Sequence, residues 1–387
     1  MKRKIAMLLL SLAMVASLVV VGCAPKAAPP AAPPAEEKPA PPAEEKPAPA
    51  APEEETFEWV AQAIWPAGFT SYRDSEEVLR RITAASGGRL KITLHPSGAI
   101  VPAYEILDAV HAGAVDAMVS GISSEFGKFP TAMFFDKYPA GPSAWEEYVW
   151  LYKAGGMELW QQLYDMNGIN VHVVGPMGAS SAESFGWFPE VIDSLKDFKG
   201  LKFRTQGIWG DVLTELGVSV VTMPGSEVYE AAQRGVIDAF EYSTFSVDWS
   251  AGFHELRPVL MEPGMHAPQS LFDFKVNKDR WNELPADLKQ IVEIGCQAGA
   301  VYMLASADYD DLAGFEDIKD YGIKIVSLPE EVQLEIVRIS NELWDEMAKE
   351  DAFFAKVLKS QRDFLTKYRA MMELKQPDPA LMEWPLK

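Results

Sequence analysis

The stretch Gly200–Ser243, GLKFRTQGIWGDVLTELGVSVVTMPGSEVYEAAQRGVIDAFEYS, constrains the fold more than any other part of the chain. Leu201–Phe203 reads as a short strand that gives way at Arg204 to a loop. A helix over Gly210–Leu216 stops at Gly217, the residue type that best tolerates the left-handed turn after a helix. Val218–Met223 is an apolar, β-branched strand. A second helix starts near Ser226 and closes at Gly235, and Val236–Tyr242 is a further strand. Strand, helix, strand, helix and strand in so short a span require parallel pairing through right-handed crossovers. Ligands of such sheets collect at the carboxyl ends of the strands, where Arg204, Glu241 and Tyr242 all lie.

This stretch has a counterpart nearer the N-terminus. Glu105–Ala117 reads EILDAVHAGAVDA, and Glu227–Ala239 reads EVYEAAQRGVIDA. Each is a helix, a glycine stop (Gly113, Gly235) and a strand opened by an aspartate (Asp116, Asp238). A repeat of this kind predicts two related lobes, each built on a mainly parallel sheet, hence a two-lobed α/β fold. A helix from Pro285 to Asp311 follows as a long connection, and Val332–Leu374 reads as a long C-terminal helix with apolar residues at three- to four-residue steps. Ser143–Asn167 is helical and broken at Gly155-Gly156. The span Gly175–Phe188 reads as a polar loop, and Gly121–Phe129 as a loop at the ligand edge.

The N-terminus is of a different kind. Lys2, Arg3 and Lys4 precede the apolar run Ile5–Val21, which ends in Val20-Val21-Gly22-Cys23. A basic start, an apolar core and small residues at a cut site mark a secretory signal. The Gly-Cys ending has the form of a lipoprotein signal over residues 1–22, with Cys23 as the lipidated first residue of the mature chain. Residues 23–55 form a Pro/Ala/Glu-rich tether, PAEEKPA occurring twice; at ~3.1 Å per residue it reaches on the order of 100 Å. Residues 56–387 then form the two-lobed domain. The expected location is extracytoplasmic, on the outer face of a bacterial cytoplasmic membrane, with the lipid as the only membrane attachment.

Charge and motifs exclude several classes. A formal charge of -21 makes nucleic acid a poor partner. Cys296 has no second cysteine once Cys23 is lipidated, so no disulfide is expected. No phosphate-binding glycine loop, nucleotide fingerprint, nucleophile elbow or zinc spacing is present. No catalytic residue stands out; a lipid-anchored enzyme is the rival reading and needs an acid/base pair with shifted pKa in the cleft. Arg204 at a strand end suits the bidentate grip of a carboxylate. Glu241 fits a structural salt bridge and a metal ligand equally. Trp65, Trp187 and Trp209 read singly as core residues.

Asp197–Arg204 (DFKGLKFR), Leu216–Pro224, the two repeat copies, Ser86–Ile92 (SGGRLKI) and Pro96-Ser97-Gly98 resemble the DctP-type solute receptors of TRAP transporters, over about residues 57–370. Gly186-Trp187-Phe188, Asp238-Ala239-Phe240-Glu241 and Val276-Asn277 with Trp281 are similar to the branch that binds α-keto acids or lactate with a metal ion. The resemblance implies a periplasmic-binding-protein-like fold closing on a small organic acid and delivering it to a membrane permease. It assigns Arg204 to the substrate carboxylate; Glu183, Trp209, Trp65 and Ser124 are the further candidate substrate-binding residues. It assigns Glu241, the main-chain carbonyl of Tyr242, Glu183 and Asp273 to the metal. Glu183 stands where that branch carries glutamine, and Tyr242-Ser243-Thr244-Phe245 replaces its Trp-x-Gly-Pro. Hard oxygen ligands, and no histidine or cysteine read as part of the site, favour Ca²⁺ with Na⁺ as the other candidate. A homodimer through the C-terminal helix is implied as well. A receptor of the same fold that takes a sugar acid or dicarboxylate without metal is the alternative.

Overall fold

A computed structural model describes residues 55–375. The signal segment, Cys23 and nearly all of the tether lie outside the described residues. The chain begins with β1 (Phe57–Ala63), α1 (Thr70–Ala85), β2 (Leu90–His95), α2 (Ile106–His111) and β3 (Ala117–Ser120). The helical pair α3 (Ala144–Lys153) and α4 (Gly156–Met166) follows, broken at the glycines as expected. A capping box starts α3: Ser143 Oγ accepts from the Glu146 amide, and the Glu146 carboxylate accepts from the Ser143 amide at 2.9 Å. Next come β4 (Val171–Ser180), β5 (Gly186–Phe188), β6 (Lys202–Arg204), α5 (Trp209–Glu215), β7 (Ser219–Val221), α6 (Val228–Gln233), β8 (Ala239–Phe240), α7 (Phe245–Ser250) and β9 (Val259–Glu262). The chain ends with β10 (Ser270–Asn277), α8 (Lys278–Glu283), α9 (Ala286–Tyr321), β11 (Lys324–Ser327), α10 (Glu330–Glu350) and α11 (Ala352–Lys375).

Two sheets result, ordered β2-β1-β3-β10-β4 and β11-β9-β5-β8-β6-β7. In each, one strand runs against all the others: β10 in the first sheet and β5 in the second. The expectation of mainly parallel sheets is therefore met, with one reversed strand where the chain crosses from one sheet to the other. Each sheet has its own apolar layers. Trp59, Val78, Leu79, Ile82 and Phe274 pack on the first, and Phe188, Phe203, Val212, Leu213 and Ile336 on the second.

The two repeat copies fall in different sheets and do the same work. Asp116 accepts a hydrogen bond from the Val60 amide of β1 at 2.8 Å, and Asp238 accepts one from the Lys202 amide of β6 at 3.0 Å. Each aspartate thus ties the start of its strand to a backbone amide of the parallel neighbour. Gly113 (φ 75°) and Gly235 (φ 71°) take the left-handed conformation that ends the preceding helix.

Helix α9 lies against both sheets' layers. A Cβ on Gly295 would come within 2.3 Å of the Ile82 side chain, and one on Gly299 within 2.7 Å of the Met177 carbonyl. Toward the other end, a Cβ on Gly314 would fall 2.5 Å from the backbone of Ser246. Beside it, Asp311 accepts from Ser181 Oγ (2.6 Å) and from the amide (2.9 Å) and hydroxyl (2.7 Å) of Ser246.

Several boundaries differ from the sequence reading. Gly175–Phe188 is not one loop: β4 runs through it to Ser180, because Gly175 and Gly178 let Met157 and Met303 pack closely, and Gly186–Phe188 is β5. The strand expected over Val236–Tyr242 shrinks to Ala239–Phe240. Helix α9 continues past Asp311 to Tyr321, where Gly322 (φ 99°) ends it. The single C-terminal helix is two, since the Asp351 carboxylate accepts from the amides of Phe353 and Phe354 and opens α11 as a new N-terminus. Elements α7 and β9 had no sequence counterpart. Among the described residues, no helix is long and apolar enough to cross a membrane.

Candidate functional site

Strands β6 and β8 lie side by side and parallel, with Arg204 opposite Phe240. Glu241 is the next residue, so the guanidinium and carboxylate emerge at the same carboxyl edge. Arg204 Nη1 donates to Glu241 Oε1 at 3.3 Å and to the Glu241 carbonyl at 3.1 Å. Its Nε and Nη2 donate to the Met223 carbonyl at 3.2 and 3.0 Å. Four of the five N–H groups of the fork are therefore occupied by the chain itself. Both residues are buried.

Glu183, in the connection from β4 to β5, faces this pair. Its Oε1 accepts from Lys137 Nζ and from Ser270 Oγ (3.0 Å), and its Oε2 lies 3.1 Å from His266 Nε2. His266 Nε2 is also 3.7 Å from Glu241 Oε2. Burial opposes ionisation of Glu183, but the Lys137 ammonium and the His266 contact outweigh it and hold the carboxyl below its usual range. Burial likewise opposes the Lys137 charge, and the carboxylates of Glu183 and Asp136 reverse this and raise its pKa. The Trp209 ring stacks on His266, centroids 5.6 Å apart. Trp209 Nε1 and His266 Nδ1 are both buried with no hydrogen-bond partner.

The backbone around Glu183 is tightly fixed. Its amide donates to the Ala267 carbonyl at 3.0 Å. A Cβ on Gly264 would fall 1.8 Å from the Glu183 carbonyl oxygen, so only glycine fits there.

Of the residues singled out by sequence, Arg204, Glu183, Glu241 and Trp209 come together, and Tyr242 adjoins them by its place in the chain. Trp65 and Ser124 do not join the cluster: Trp65 packs edge-on against Phe272 (4.7 Å), and the Ser124 hydroxyl donates to the Gly121 carbonyl. Asp273 requires a correction. It is fully buried in β10, where Ser120 Oγ (2.8 Å) and Lys275 Nζ (3.2 Å) take its carboxylate. Asp273 and Lys275 are two apart on one strand and so share a face, in a separate cluster with Glu125 and Tyr164. Burial there raises the Asp273 pKa to about 7 against the pull of Lys275.

Lys137 and His266 were missed. Lys137 sits in an ordinary-looking FDKYP run, and His266 in a loop after β9, a strand the sequence reading did not contain. The expectation that no histidine is at hand is overturned by His266, whose ring nitrogen lies with carboxylate oxygens of Glu183 and Glu241, all within 4.8 Å of one another. Two carboxylates and one imidazole so placed fit a bound cation, while the unpartnered Trp209 Nε1–H is a donor free for an acceptor oxygen. A surface depression lined by Met157, Gln161 and His172 shares no residue with this cluster.

Comparison with known proteins bears on the same residues. The family "Bacterial extracellular solute-binding protein, family 7" (DctP) matches residues 61–351. A monocarboxylate 2-oxoacid-binding periplasmic protein of Nostoc sp. is 33% identical over 307 residues, 79% of this chain and 83% of that protein. A TRAP periplasmic solute-binding protein from Colwellia psychrerythraea, solved with bound calcium and pyruvate, is 31% identical with a TM-score of 0.77, covering 83% of this chain and 97% of that one. Another from Pseudoalteromonas atlantica, solved with sodium and pyruvate, is 30% identical with a TM-score of 0.76 over the same shares.

Proposed function

The chain belongs to the DctP family of bacterial extracellular solute-binding proteins, and on that premise we propose that it is the solute receptor of a TRAP-type transporter. It captures a small 2-oxo or 2-hydroxy monocarboxylate together with a metal ion and presents the acid to the membrane permease. The observation that carries this reading is the Arg204–Glu241 pair at one sheet edge, closed over by Glu183 and His266. Arg204 grips the substrate carboxylate, and Trp209 with His266 walls the site. Glu241, Glu183 and the Tyr242 carbonyl hold the ion, with His266 as a further ligand. When bound, the ion would supply positive charge beside the Glu183 and Glu241 carboxylates, offsetting their repulsion of an anionic ligand; the receptor carries out no chemistry on its ligand.

Residues 1–22 direct export and are removed, Cys23 carries the lipid, and the tether lets residues 56–387 range from the outer face of the cytoplasmic membrane. The exposed end of α11, with Leu374 89% exposed, supports pairing of two copies there. A thermal-shift screen of residues 56–387 against pyruvate, lactate, larger 2-oxoacids, C4-dicarboxylates and sugar acids, with and without Ca²⁺, tests the reading. Stabilisation by pyruvate or lactate that vanishes on chelation is expected. Lys137 favours one second reading, a metal-free dicarboxylate site with Arg204 and Lys137 each taking one carboxylate; stabilisation by succinate that survives chelation identifies it.

A further inference from the structure

We propose that Lys137 sets which ion the site accepts, by holding its ammonium on Glu183 and competing there with the metal. The inference rests on the metal-dependent reading above and concerns the charge of the ion. Glu183 Oε1 is shared between Lys137 Nζ and Ser270 Oγ, so the lysine occupies an oxygen that a cation would use. Glu241 is matched in the same way by Arg204. Two carboxylates thus face two cationic side chains, and the Asp136 carboxylate also acts on Lys137. Before any ion or acid arrives, Lys137 and Arg204 already engage the two carboxylates that a divalent cation would use.

An ion bound to Glu183 and Glu241 sits beside the lysine ammonium, and the repulsion between them scales with the ion's charge. A divalent ion suffers twice the penalty of a monovalent one at the same place. Burial sharpens the difference, since solvent screens little there. Lys137 also reaches this cluster from the turn before α3, far in sequence from the β6 and β8 edge that supplies Arg204 and Glu241. It can therefore be changed without altering that edge. Its side chain is 26% exposed, unlike the 6% of Glu183, so the ammonium has room to swing from the carboxylate when an ion displaces it.

The test uses residues 56–387, stripped of ions, as wild type, Lys137→Met, Lys137→Gln and Lys137→Met/Glu183→Gln. Calcium and sodium are titrated by calorimetry without any organic acid, and then with pyruvate. Removing the lysine charge should tighten calcium by about tenfold or more while moving sodium much less. The double variant, with both charges gone, should return the calcium-to-sodium ratio toward the wild-type value. Folded Lys137→Met or Lys137→Gln protein with an unchanged ratio, or with weaker calcium binding, overturns the proposal. If Lys137→Met unfolds through its stranded glutamate, Lys137→Gln decides the question alone, because its amide still donates to Glu183. Absence of ion binding in all four proteins overturns this inference and the metal-dependent reading together. Pyruvate failing to bind while the calcium shift persists overturns only the choice of acid.

Discussion

Arg204 Nη1 lies 3.3 Å from Glu241 Oε1, the two residues standing at the carboxyl ends of adjacent parallel strands with both side chains buried. In this arrangement the carboxylate of the chain already occupies part of the fork that an acid ligand requires. On the proposed reading, acid binding would exchange one carboxylate partner of Arg204 for another or share the fork between them, and an ion on Glu241 would take up the charge that Arg204 gives away.

Replacing Arg204 by lysine should weaken acid binding by about 2 kcal/mol, the low end of the range for breaking one side of a buried charged pair, because the charge is kept. A lysine ammonium keeps the charge and loses the planar fork that holds Met223 and Glu241 together. Calorimetry with pyruvate measures this directly. Wild-type affinity in folded Arg204→Lys protein would remove Arg204 from the binding role.

The Gly264→Ala variant should lose about 1–3 kcal/mol or more of stability, as overpacking does. The added methyl meets the Glu183 carbonyl at 1.8 Å and cannot be accommodated without moving that backbone. Because Glu183 moves with it, ion binding should weaken in parallel. Denaturant melts and calcium titration of the same sample check both halves. A variant as stable as wild type would mean that the β4–β5 connection gives way easily.

His172 stacks on Trp281, centroids 4.3 Å apart, and burial, with Lys278 and Lys289 nearby, lowers its pKa from 6.5 to about 4. Between those values the unfolded chain binds a proton that the folded chain refuses, so stability falls as pH drops from about 6.5 to about 4. His172→Phe keeps a stacked ring and removes the titration. Its melting temperature should therefore fall less than that of the wild type when pH goes from 7 to 5. Parallel slopes would show that His172 is protonated in the folded protein as readily as outside it.

Ligand and ion together should draw the two sheets' faces over the cluster, since Lys137 and Ser270 come from one side of the molecule and Arg204 and Glu241 from the other. A smaller radius of gyration in small-angle scattering with saturating pyruvate and calcium is the expected result. An unchanged radius would place recognition in a site already closed.

The C-terminal helix calls for a narrower test than its deletion. Gln361 donates to the Phe134 carbonyl and the Glu147 carboxylate and accepts from Tyr138, and Phe354 and Leu358 are buried in the same chain. Cutting after Asp351 would open the core whatever the association state. Met371→Lys with Leu374→Lys alters only exposed positions. Ultracentrifugation should show loss of a dimer in that variant, and an unchanged sedimentation coefficient would free α11 of any role between subunits.

What the sequence made legible was whatever local chemistry dictates. The helix, glycine stop and aspartate of each repeat copy reappear with Asp116 and Asp238 in matching hydrogen bonds to the parallel neighbour strand, because the two copies share one local sequence pattern. Arg204 and Glu241 were likewise readable, both standing at strand ends. Lys137, His266 and Asp273 were not. Their roles depend on which distant strand or turn lies opposite, and no periodicity records that. The position of β10, between β3 and β4, put Asp273 beside Lys275 and Glu125 instead of beside Glu241.

That same strand dictates an order of assembly. The first sheet is begun by β1 and has its outer members by Ser180, yet β3 and β4 are held apart until Ser270–Asn277 fills the gap between them. The second sheet likewise waits for β11 at its edge. A chain emerging N-terminus first thus cannot finish either sheet until more than two thirds of its length is free. Under the proposed export through residues 1–22, such an order would keep the chain from finishing either sheet until most of it had crossed the membrane.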